Sequence, residues 1–208
     1  RYCPRAPNPA RAEETQVSLK PVDQAVAQAV RVILRAAEGD NCLRPGLQET
    51  PERFARAWEF FTSGYRQNPA SVLKFFEDGA QGYDEMVVVN QIPIMSLCEH
   101  HAIPFFGHAH IAYIPNGRVL GLSKFARLVE VFARRLQVQE RLTVQIADAL
   151  QEHLKPKGVG VILECRHLCL EMRGVRTPGS VTITDALRGT FCENTVRQEF
   201  LSLRTGKV

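Results

Sequence analysis

Three residues of the sequence have the types and the spacing to hold a metal ion. Cys98 and His101 form a Cys-x-x-His pair, and Cys169 lies far downstream of them. Thiolate sulfur and imidazole nitrogen are donors that zinc prefers, and a structural zinc site uses four protein ligands. With three ligands the fourth tetrahedral position is left to water, which zinc makes a nucleophile near neutral pH. The shortage of ligands therefore favours a catalytic zinc site.

Other interpretations of the same residues stay open on spacing alone. Cys98 and Cys169 could form a disulfide, or both could be buried thiols, because free cysteine is commonly an inert small hydrophobe. A structural zinc site would need a fourth protein ligand, for which Cys165 is the nearest candidate. His100 and His167 lie next to a ligand or one strand repeat away from one, where a neutral imidazole could exchange protons.

A turn and a long strand are predicted to position these residues. Cys98 and His101 lie three apart and would point to opposite faces of a strand, so they can share one metal only across a turn. Residues 158–173 follow a Gly/Pro breaker and are predicted to form one β-strand. Because side chains alternate along a strand, one face would carry Cys165, His167, Cys169, Glu171 and Arg173. The packing face would carry Ile162, Leu168, Leu170 and Met172.

The first part of the chain has the periodicity of helices. One helix is predicted from Pro21 to about Gly39, a second begins at Thr50, and a shorter third begins near Asn68. The apolar stripe of the first helix is Val22, Val26, Val30, Ile33, Leu34 and Ala37. Strands are predicted to follow this helical region.

The second part combines strands with two helices. Asn116-Gly117 separates two short apolar runs and predicts a β-hairpin. Ser123 is predicted to cap a helix, and another helix is predicted from about Gln139 to Leu154. A strand at residues 182–184 and a closing helix at 195–203 follow. This order predicts an α+β fold with a mainly antiparallel sheet.

Composition and charge agree with a compact protein of ordinary type. The chain has 208 residues, of which 45% are hydrophobic and 23% charged, and its net charge is +4. Without a basic block, nucleic-acid binding is not indicated, and no apolar stretch approaches membrane-spanning length. Six cysteines at irregular spacing predict a reducing, cytoplasmic location. We predict a mobile tail at 1–20, a helical region at 21–83 and a catalytic domain at 84–208.

Four segments of the chain resemble GTP cyclohydrolase I in the order and spacing of that family. They are residues 96–101, 121–127, 134–143 and 167–175. The resemblance extends over roughly residues 21 to 204. It implies the tunnelling fold, in which an antiparallel sheet with two helices assembles with neighbouring subunits into a β-barrel. It also implies a homodecamer with active sites between subunits.

The resemblance assigns roles to individual residues. The family's zinc ligands match Cys98, His101 and Cys169, and its proton-transfer histidines match His100 and His167. The guanine-binding carboxylate matches Glu140, beside Gln139, and a carboxylate suits the adjacent N–H donors of guanine. The triphosphate-binding positions match Arg53, Lys124, Arg127 and Arg173. Ser123 matches a catalytic residue near the ribose. Without the resemblance, the residues beyond the metal ligands and histidines would be a solvated helix face and a helix cap.

The implied reaction is the hydrolysis of GTP at C8. It releases formate and gives 7,8-dihydroneopterin triphosphate, the first step of pterin biosynthesis. Two alternatives remain: a zinc-stabilised binding protein without turnover, and a tunnelling-fold relative that acts on a pteridine or a deazapurine. Cys165 as a fourth ligand would favour the first, and consumption of a pteridine but not of GTP would favour the second.

Overall fold

The computed structural model describes residues 21–40, 44–78 and 81–205. The predicted mobile tail at 1–20 lies outside these residues. The chain divides into two compact units, Arg1–Glu59 and Phe60–Val208. The predicted division between a helical region and a catalytic domain at residue 84 stays a prediction.

The first unit contains the helix α1 (Pro21–Glu38) and most of α2 (Thr50–Phe61), with a 3-10 turn at Pro45–Leu47 between them. Both predicted helices are therefore confirmed. The buried side chains of α1 include Asp23, Ala27 and Val30, which share one helix face. Ile33, predicted to belong to the apolar stripe, is exposed instead. Ile33 lies to the side of that buried face, and its side chain points to solvent.

The second unit contains the sheet and the remaining helices. The helices are α3 (Pro69–Val72), α4 (Leu122–Ala133), α5 (Gln139–Leu154), α6 (Leu168–Glu171) and α7 (Asn194–Thr205), with 3-10 turns at Ser63–Arg66 and Thr190–Cys192. The strands are β1 (Phe75–Phe76), β2 (Val87–Cys98), β3 (Pro104–Ile114), β4 (Val119–Leu120), β5 (Leu136–Gln137), β6 (Gly158–His167) and β7 (Thr182–Gly189).

Five of these strands form one sheet in the order β5-β2-β3-β6-β7. The pairs β2–β3, β3–β6 and β6–β7 are antiparallel, and only the short contact of β2 with β5 is parallel. Pro93 in β2 pairs with His108 of β3 on one side. The nitrogen of proline donates no hydrogen bond, so proline is tolerated in a strand that has no neighbour on its other side. This holds at Pro93, because β5 pairs only with the end of β2. The predicted α+β fold with a mainly antiparallel sheet is confirmed.

Helices α4 and α5 cover one face of this sheet. Val159, Val161 and Leu163 of β6 point to these helices and meet residues such as Phe125 and Ile146. Burial of each such side chain contributes about 1.5–3 kcal/mol. The opposite face of the sheet packs a smaller cluster of Met86, Ala112, Ile162, Phe191 and Phe200, the last of which lies on α7. The sheet is thus covered on both faces near its centre.

The predicted hairpin at Asn116-Gly117 is wrong in its pairing. A turn is present, and Gly117 has a φ of 73°, which glycine adopts readily. The strand after it, β4, pairs with β1 through Phe75↔Leu120 and Phe76↔Val119. It does not return along β3 because β3 already pairs with β2 on one side and with β6 on the other. The strand after the turn therefore has no free edge of β3 to pair with.

The predicted long strand over 158–173 is also wrong beyond His167. The last pair between β6 and β3 is Phe105↔His167, because β3 begins at Pro104. Without a neighbouring strand the chain turns into α6, where the Met172 N–H donates to the Leu168 carbonyl at 2.9 Å. Cys169 therefore lies on a short helix and not on a strand face. Leu170 and Met172, predicted to pack, are exposed.

Candidate active site

A tight turn at the end of β2 presents Cys98 and His101 on the same side. The Cys98 carbonyl accepts hydrogen bonds from the N–H groups of His101 at 3.3 Å and Ala102 at 2.8 Å. Ala102 has a φ of 52°, in the left-handed region, and this reverses the chain before β3 begins. The predicted turn is therefore confirmed. It places the Cys98 sulfur 3.7 Å from Nδ1 of His101.

Cys169 joins this pair from α6. The turn at Cys98 lies between β2 and β3, and α6 follows directly on β6, the other neighbour of β3, at the same end of the sheet. One ligand atom each of Cys98, His101 and Cys169 lies within 4.8 Å of the other two. Two ligands of one tetrahedral zinc are expected to lie about 3.5–3.8 Å apart. The three residues, here called the ligand cluster, can thus hold a metal ion.

The thiol of Cys169 is harder to ionise in the ligand cluster than in water. Burial, and then the neighbouring Cys98, raise the pKa of Cys169. A bound cation removes this obstacle because a metal-bound thiol is held as the thiolate. Cys165, the candidate for a fourth ligand, is 1% exposed among core residues, where burial raises the pKa of its thiol to about 12. It is not part of the cluster.

Arg173 contacts Nε2 of His101, the ring nitrogen that is not next to the Cys98 sulfur. Its Nη1 is 2.5 Å from Nε2 of His101. Arginine has donors only, so this imidazole nitrogen accepts, and the ring proton of neutral His101 sits on Nδ1. A nitrogen that binds a metal must be free of its proton, so metal binding at Nδ1 would move the proton to Nε2 and end the contact with Arg173.

His167 is held in one orientation beside the ligand cluster. Its ring stacks on Phe105 with a centroid distance of 4.7 Å and an interplanar angle of 9°. Its Nε2 lies 2.8 Å from Oε1 of Gln139. Burial lowers the pKa of His167, and the charge of Glu140 opposes this shift. The fold therefore favours the neutral imidazole.

The tautomer of His167 follows from the surroundings of Gln139. The Gln139 side chain is 1% exposed, and its Nε2 faces the carbonyls of Leu163 at 3.1 Å and Thr182 at 3.0 Å, with the hydroxyl of Thr184 at 3.1 Å. These acceptors fix the amide so that Oε1 points to His167 and accepts its Nε2–H. The Nδ1 atom of the neutral ring then carries a lone pair that is not used by this bond.

His100 and Glu140, by contrast, are exposed. His100 lies in the turn itself, with Nδ1 3.8 Å from the Cys98 sulfur and Nε2 3.9 Å from a carboxylate oxygen of Glu99. Glu140 is in the first turn of α5, directly after Gln139. Both predicted site residues are therefore near His167 or the ligand cluster and open to a ligand.

The remaining predicted site residues lie on two other helices. Ser123, Lys124 and Arg127 are in α4, which begins at Leu122 with Gly121 as its N-cap. The prediction that Ser123 caps this helix is wrong, because the helix begins one residue before it. Arg53 belongs to the first unit, in the first turn of α2, where it forms an ion pair with Glu49. The roles predicted for these four residues in phosphate binding and catalysis stay predictions.

Sequence reasoning gave no role to a second group of residues around the turn. Arg141 forms an ion pair with Glu99 across 42 positions of the sequence, and it also contacts Gln137 and the backbone of Leu136. No periodicity or local motif links residues so far apart. Arg141 lies within the segment 134–143 that carried the family resemblance, which was the only available signal.

Comparison with known proteins agrees with this geometry. The sequence profile described as GTP cyclohydrolase I matches residues 26–205. GTP cyclohydrolase 1 of Janthinobacterium sp. (strain Marseille) is 58% identical over 170 residues, 81% of this chain and 86% of that protein. GTP cyclohydrolase 1 of Chlorobium phaeovibrioides is 54% identical over 184 residues, 86% of this chain and 80% of that protein.

A more distant similarity is found among solved structures. The apo form of the archaeosine synthase QueF-Like aligns with 50% of this chain and 93% of its own, with a TM-score of 0.39 and 19% identity. At this level the similarity carries no functional inference.

No described helix combines the length and the apolar character that crossing a membrane requires.

The profile match covers nearly all of the described residues, and relatives above 50% identity cover four fifths of the chain or more. The chain therefore belongs to the GTP cyclohydrolase I family, and its antiparallel sheet with two helices is the tunnelling fold of that family.

Proposed function

We propose that the protein is a zinc-dependent GTP cyclohydrolase I, which hydrolyses GTP at C8, releases formate and forms 7,8-dihydroneopterin triphosphate. The observation that carries this proposal is the ligand cluster of Cys98, His101 and Cys169, within 4.8 Å of one another in a chain of this family. Two sulfurs and one nitrogen form a donor set that suits zinc better than magnesium or calcium, which prefer oxygen ligands. Three protein ligands also match a catalytic site.

When bound, zinc supplies a Lewis acid that makes water a nucleophile near neutral pH. The chain's own residues would handle the protons. His167 is favoured as the neutral ring with a lone pair at Nδ1, so it can accept a proton released as water adds to C8. It can then deliver that proton to N7, which completes the addition of water across the double bond between C8 and N7. The two C8–N bonds would then break in turn, the second with another water, so that C8 leaves as formate. His100, exposed beside Cys98, is the candidate for the second proton transfer.

The base and the phosphates would be bound by charged side chains that the family resemblance assigns to them. Glu140 would accept the adjacent N–H donors of guanine, and it lies near enough to His167 to oppose the shift of its pKa. Arg173, released from His101 when the metal binds, would be free for the triphosphate. Lys124, Arg127 and Arg53 would bind it as the family resemblance implies, Arg53 in exchange for its ion pair with Glu49. Ser123 would act near the ribose, as the family resemblance implies. Gln139 could add a contact to the base only by giving up a bond it makes here.

The exposure of this site supports a further part of the proposal, namely that subunits assemble and cover it. His100, His101, Glu140 and Arg173 are all exposed in the single chain. A site that hydrolyses a purine ring needs to exclude bulk water, and a neighbouring subunit of a homodecamer would provide that cover. Sedimentation of the active protein tests this: an active monomer would contradict it. A cytoplasmic location stays a prediction.

The experiment that tests the function is the release of formate from GTP, measured with zinc retained and with zinc removed by a chelator. We expect zinc-dependent formate, together with a pterin fluorophore after oxidation. Zinc bound in stoichiometric amount without formate would contradict the proposal and favour a zinc-stabilised binding protein. Consumption of a pteridine or a deazapurine in place of GTP would favour a relative with different chemistry.

A further inference from the structure

The turn that carries Cys98 and His101 is attached to the segment before α5. The last two residues of β2 pair with β5 through Leu97↔Leu136 and Cys98↔Gln137. The N–H of Glu99 donates to the Gln137 carbonyl at 2.9 Å. Because β5 has only two residues, this backbone contact alone is short, and side chains must secure the rest of the turn.

Arg141 supplies that attachment with one guanidinium group. Its Nε donates to Oε1 of Gln137 at 3.0 Å, and its Nη2 donates to the Leu136 carbonyl at 3.0 Å and to the carboxylate of Glu99. Glu99 is the residue directly after the ligand Cys98. The guanidinium therefore joins the turn to both residues of β5 and to the first turn of α5.

The acceptor that orients Arg141 is itself fixed. Gln137 is buried, and its Nε2 donates to the Phe132 carbonyl and to Oε1 of Gln145, both at 2.9 Å. Its Oε1 is thus left to face Arg141. A planar guanidinium that meets the fixed amide oxygen of Gln137 and the backbone carbonyl of Leu136 is held in one position, and its bond to the Glu99 carboxylate is charge-assisted, which makes it about twice as strong as a neutral one.

The first turn of α5 contacts both sides of the candidate active site. Gln139 holds His167, which ends β6, while Arg141 holds Glu99 in the ligand turn. Glu140 lies between them and is the residue proposed to bind guanine. We propose that Arg141 is a positioning residue that fixes the ligand turn, and with it the metal, relative to His167 and Glu140. Only the catalytic part of this inference rests on the proposed function, because the attachment of the turn also predicts metal affinity.

The test compares Arg141→Lys and Glu99→Gln with a control in the same helix. Lysine keeps the charge but carries its donors on one nitrogen, so it cannot span the acceptors that face both Nε and Nη2 of Arg141. Glu99→Gln alters only an exposed side chain of the turn. Asp148→Asn removes the ion pair of Asp148 with Arg188, which does not contact the turn. Zinc affinity is measured by chelator competition on the purified full chain, and kcat and KM for GTP are measured at saturating zinc.

We expect Arg141→Lys and Glu99→Gln each to weaken zinc binding by about 10- to 100-fold, as the loss of groups that orient metal ligands does. The double variant should bind zinc no more weakly than the weaker-binding single variant, because both changes disturb the same contact, that of Arg141 with Glu99. The control should bind zinc like the unchanged protein. At saturating zinc, Arg141→Lys should lower kcat more than it raises KM.

Unchanged zinc affinity in both Arg141→Lys and Glu99→Gln would overturn the inference. Equal losses in the Asp148→Asn control would also overturn it, since a general loss of stability would then explain the result. If the unchanged protein binds zinc but releases no formate, while the two variants bind zinc more weakly, the proposed function fails and the positioning role of Arg141 stands.

Discussion

Two histidines on opposite faces of the same sheet, His167 and His110, differ in what their surroundings leave free. Burial is the largest cause that lowers the pKa of each. His167 is partly exposed beside the ligand cluster, with Nε2 bonded to Gln139 and Nδ1 left for a proton. His110 is 2% exposed, its Nδ1 bonds to Asn90, and its Nε2 has no partner in the described part of the chain.

The comparison shows that a lowered pKa does not by itself mark a proton-transfer residue. The charge of Arg204, which forms an ion pair with Glu164, acts on His110, and Asn90 also donates to the Leu203 carbonyl of α7. Asn90 thus joins α7 to the sheet, and His110 has the structural role of bonding to Asn90. His167 combines the same shift with an orienting partner and a reachable nitrogen, and this combination is what chemistry requires.

The largest expected effect separates the metal ligand from a buried thiol on the same side of the sheet. Cys169→Ala should remove zinc and lower formate release on the order of 10⁴-fold, because a metal contributes several kcal/mol to the transition state. Cys165→Ala should retain zinc and turnover and lower the free energy of unfolding by about 1 kcal/mol. Metal analysis and formate assays check both variants. Zinc loss from Cys165→Ala would restore Cys165 as a ligand.

The second prediction tests the two histidines directly. His167→Asn should keep zinc and lower kcat by about 10²- to 10⁴-fold, the range for loss of a general acid or base. His110→Gln should leave kcat unchanged and lower stability alone. Steady-state kinetics with zinc analysis and denaturant unfolding measure these effects. Near-normal turnover by His167→Asn would remove its proposed role, and a large loss of kcat in His110→Gln would end the distinction.

The third prediction concerns the residues that hold each ring. Gln139→Leu removes the acceptor for His167 and leaves buried carbonyls without a donor, so stability should fall by about 1–3 kcal/mol and kcat by about tenfold. Asn90→Leu should lower stability without a change in kcat. If Gln139→Leu instead raises KM for GTP with kcat unchanged, Gln139 contacts the base and does not position His167.

The smallest effect is the pH dependence of stability due to His110. Its pKa in the folded protein is lowered from 6.5, chiefly by burial and then by Arg204 and His108. The unfolded chain therefore takes up the proton first, and the contribution of neutral His110 is present above pH 6.5 and lost as pH falls below it. Denaturant unfolding between pH 5 and 7.5 should show a smaller loss in His110→Gln, by less than about 1.4 kcal/mol per pH unit. His153→Gln serves as the control, and equal slopes in both variants would refute the assignment.

Sequence patterns predicted the elements better than their partners. The helix α5 begins and ends where its apolar periodicity placed it, and the Cys-x-x-His spacing required the turn that is found after β2. The hairpin at Asn116-Gly117 failed because strand pairing depends on which edges remain free, and both edges of β3 were occupied. Local sequence contains no information on that occupancy.

The candidate active site shows the same limit. Alternation from Cys165 through Cys169 has the period of a strand, but β6 ends where its neighbour β3 begins, at a point that only the fold determines. The contacts of Gln139 with His167 and of Arg141 with Glu99 join residues 28 and 42 positions apart. Residue types could suggest the metal ligands, whereas the groups that orient them depend on long-range packing.

The position of Cys169 on α6 has a consequence for how the protein gains its metal during folding. Cys98 and His101 belong to one turn and meet without the rest of the sheet, whereas Cys169 reaches them only after β6 has paired with β3. A bound ion would thus close a loop of about 70 residues through a reversible cross-link. Part of its binding free energy would then be folding free energy. The rate at which a chelator extracts the metal would then report how often this end of the sheet opens.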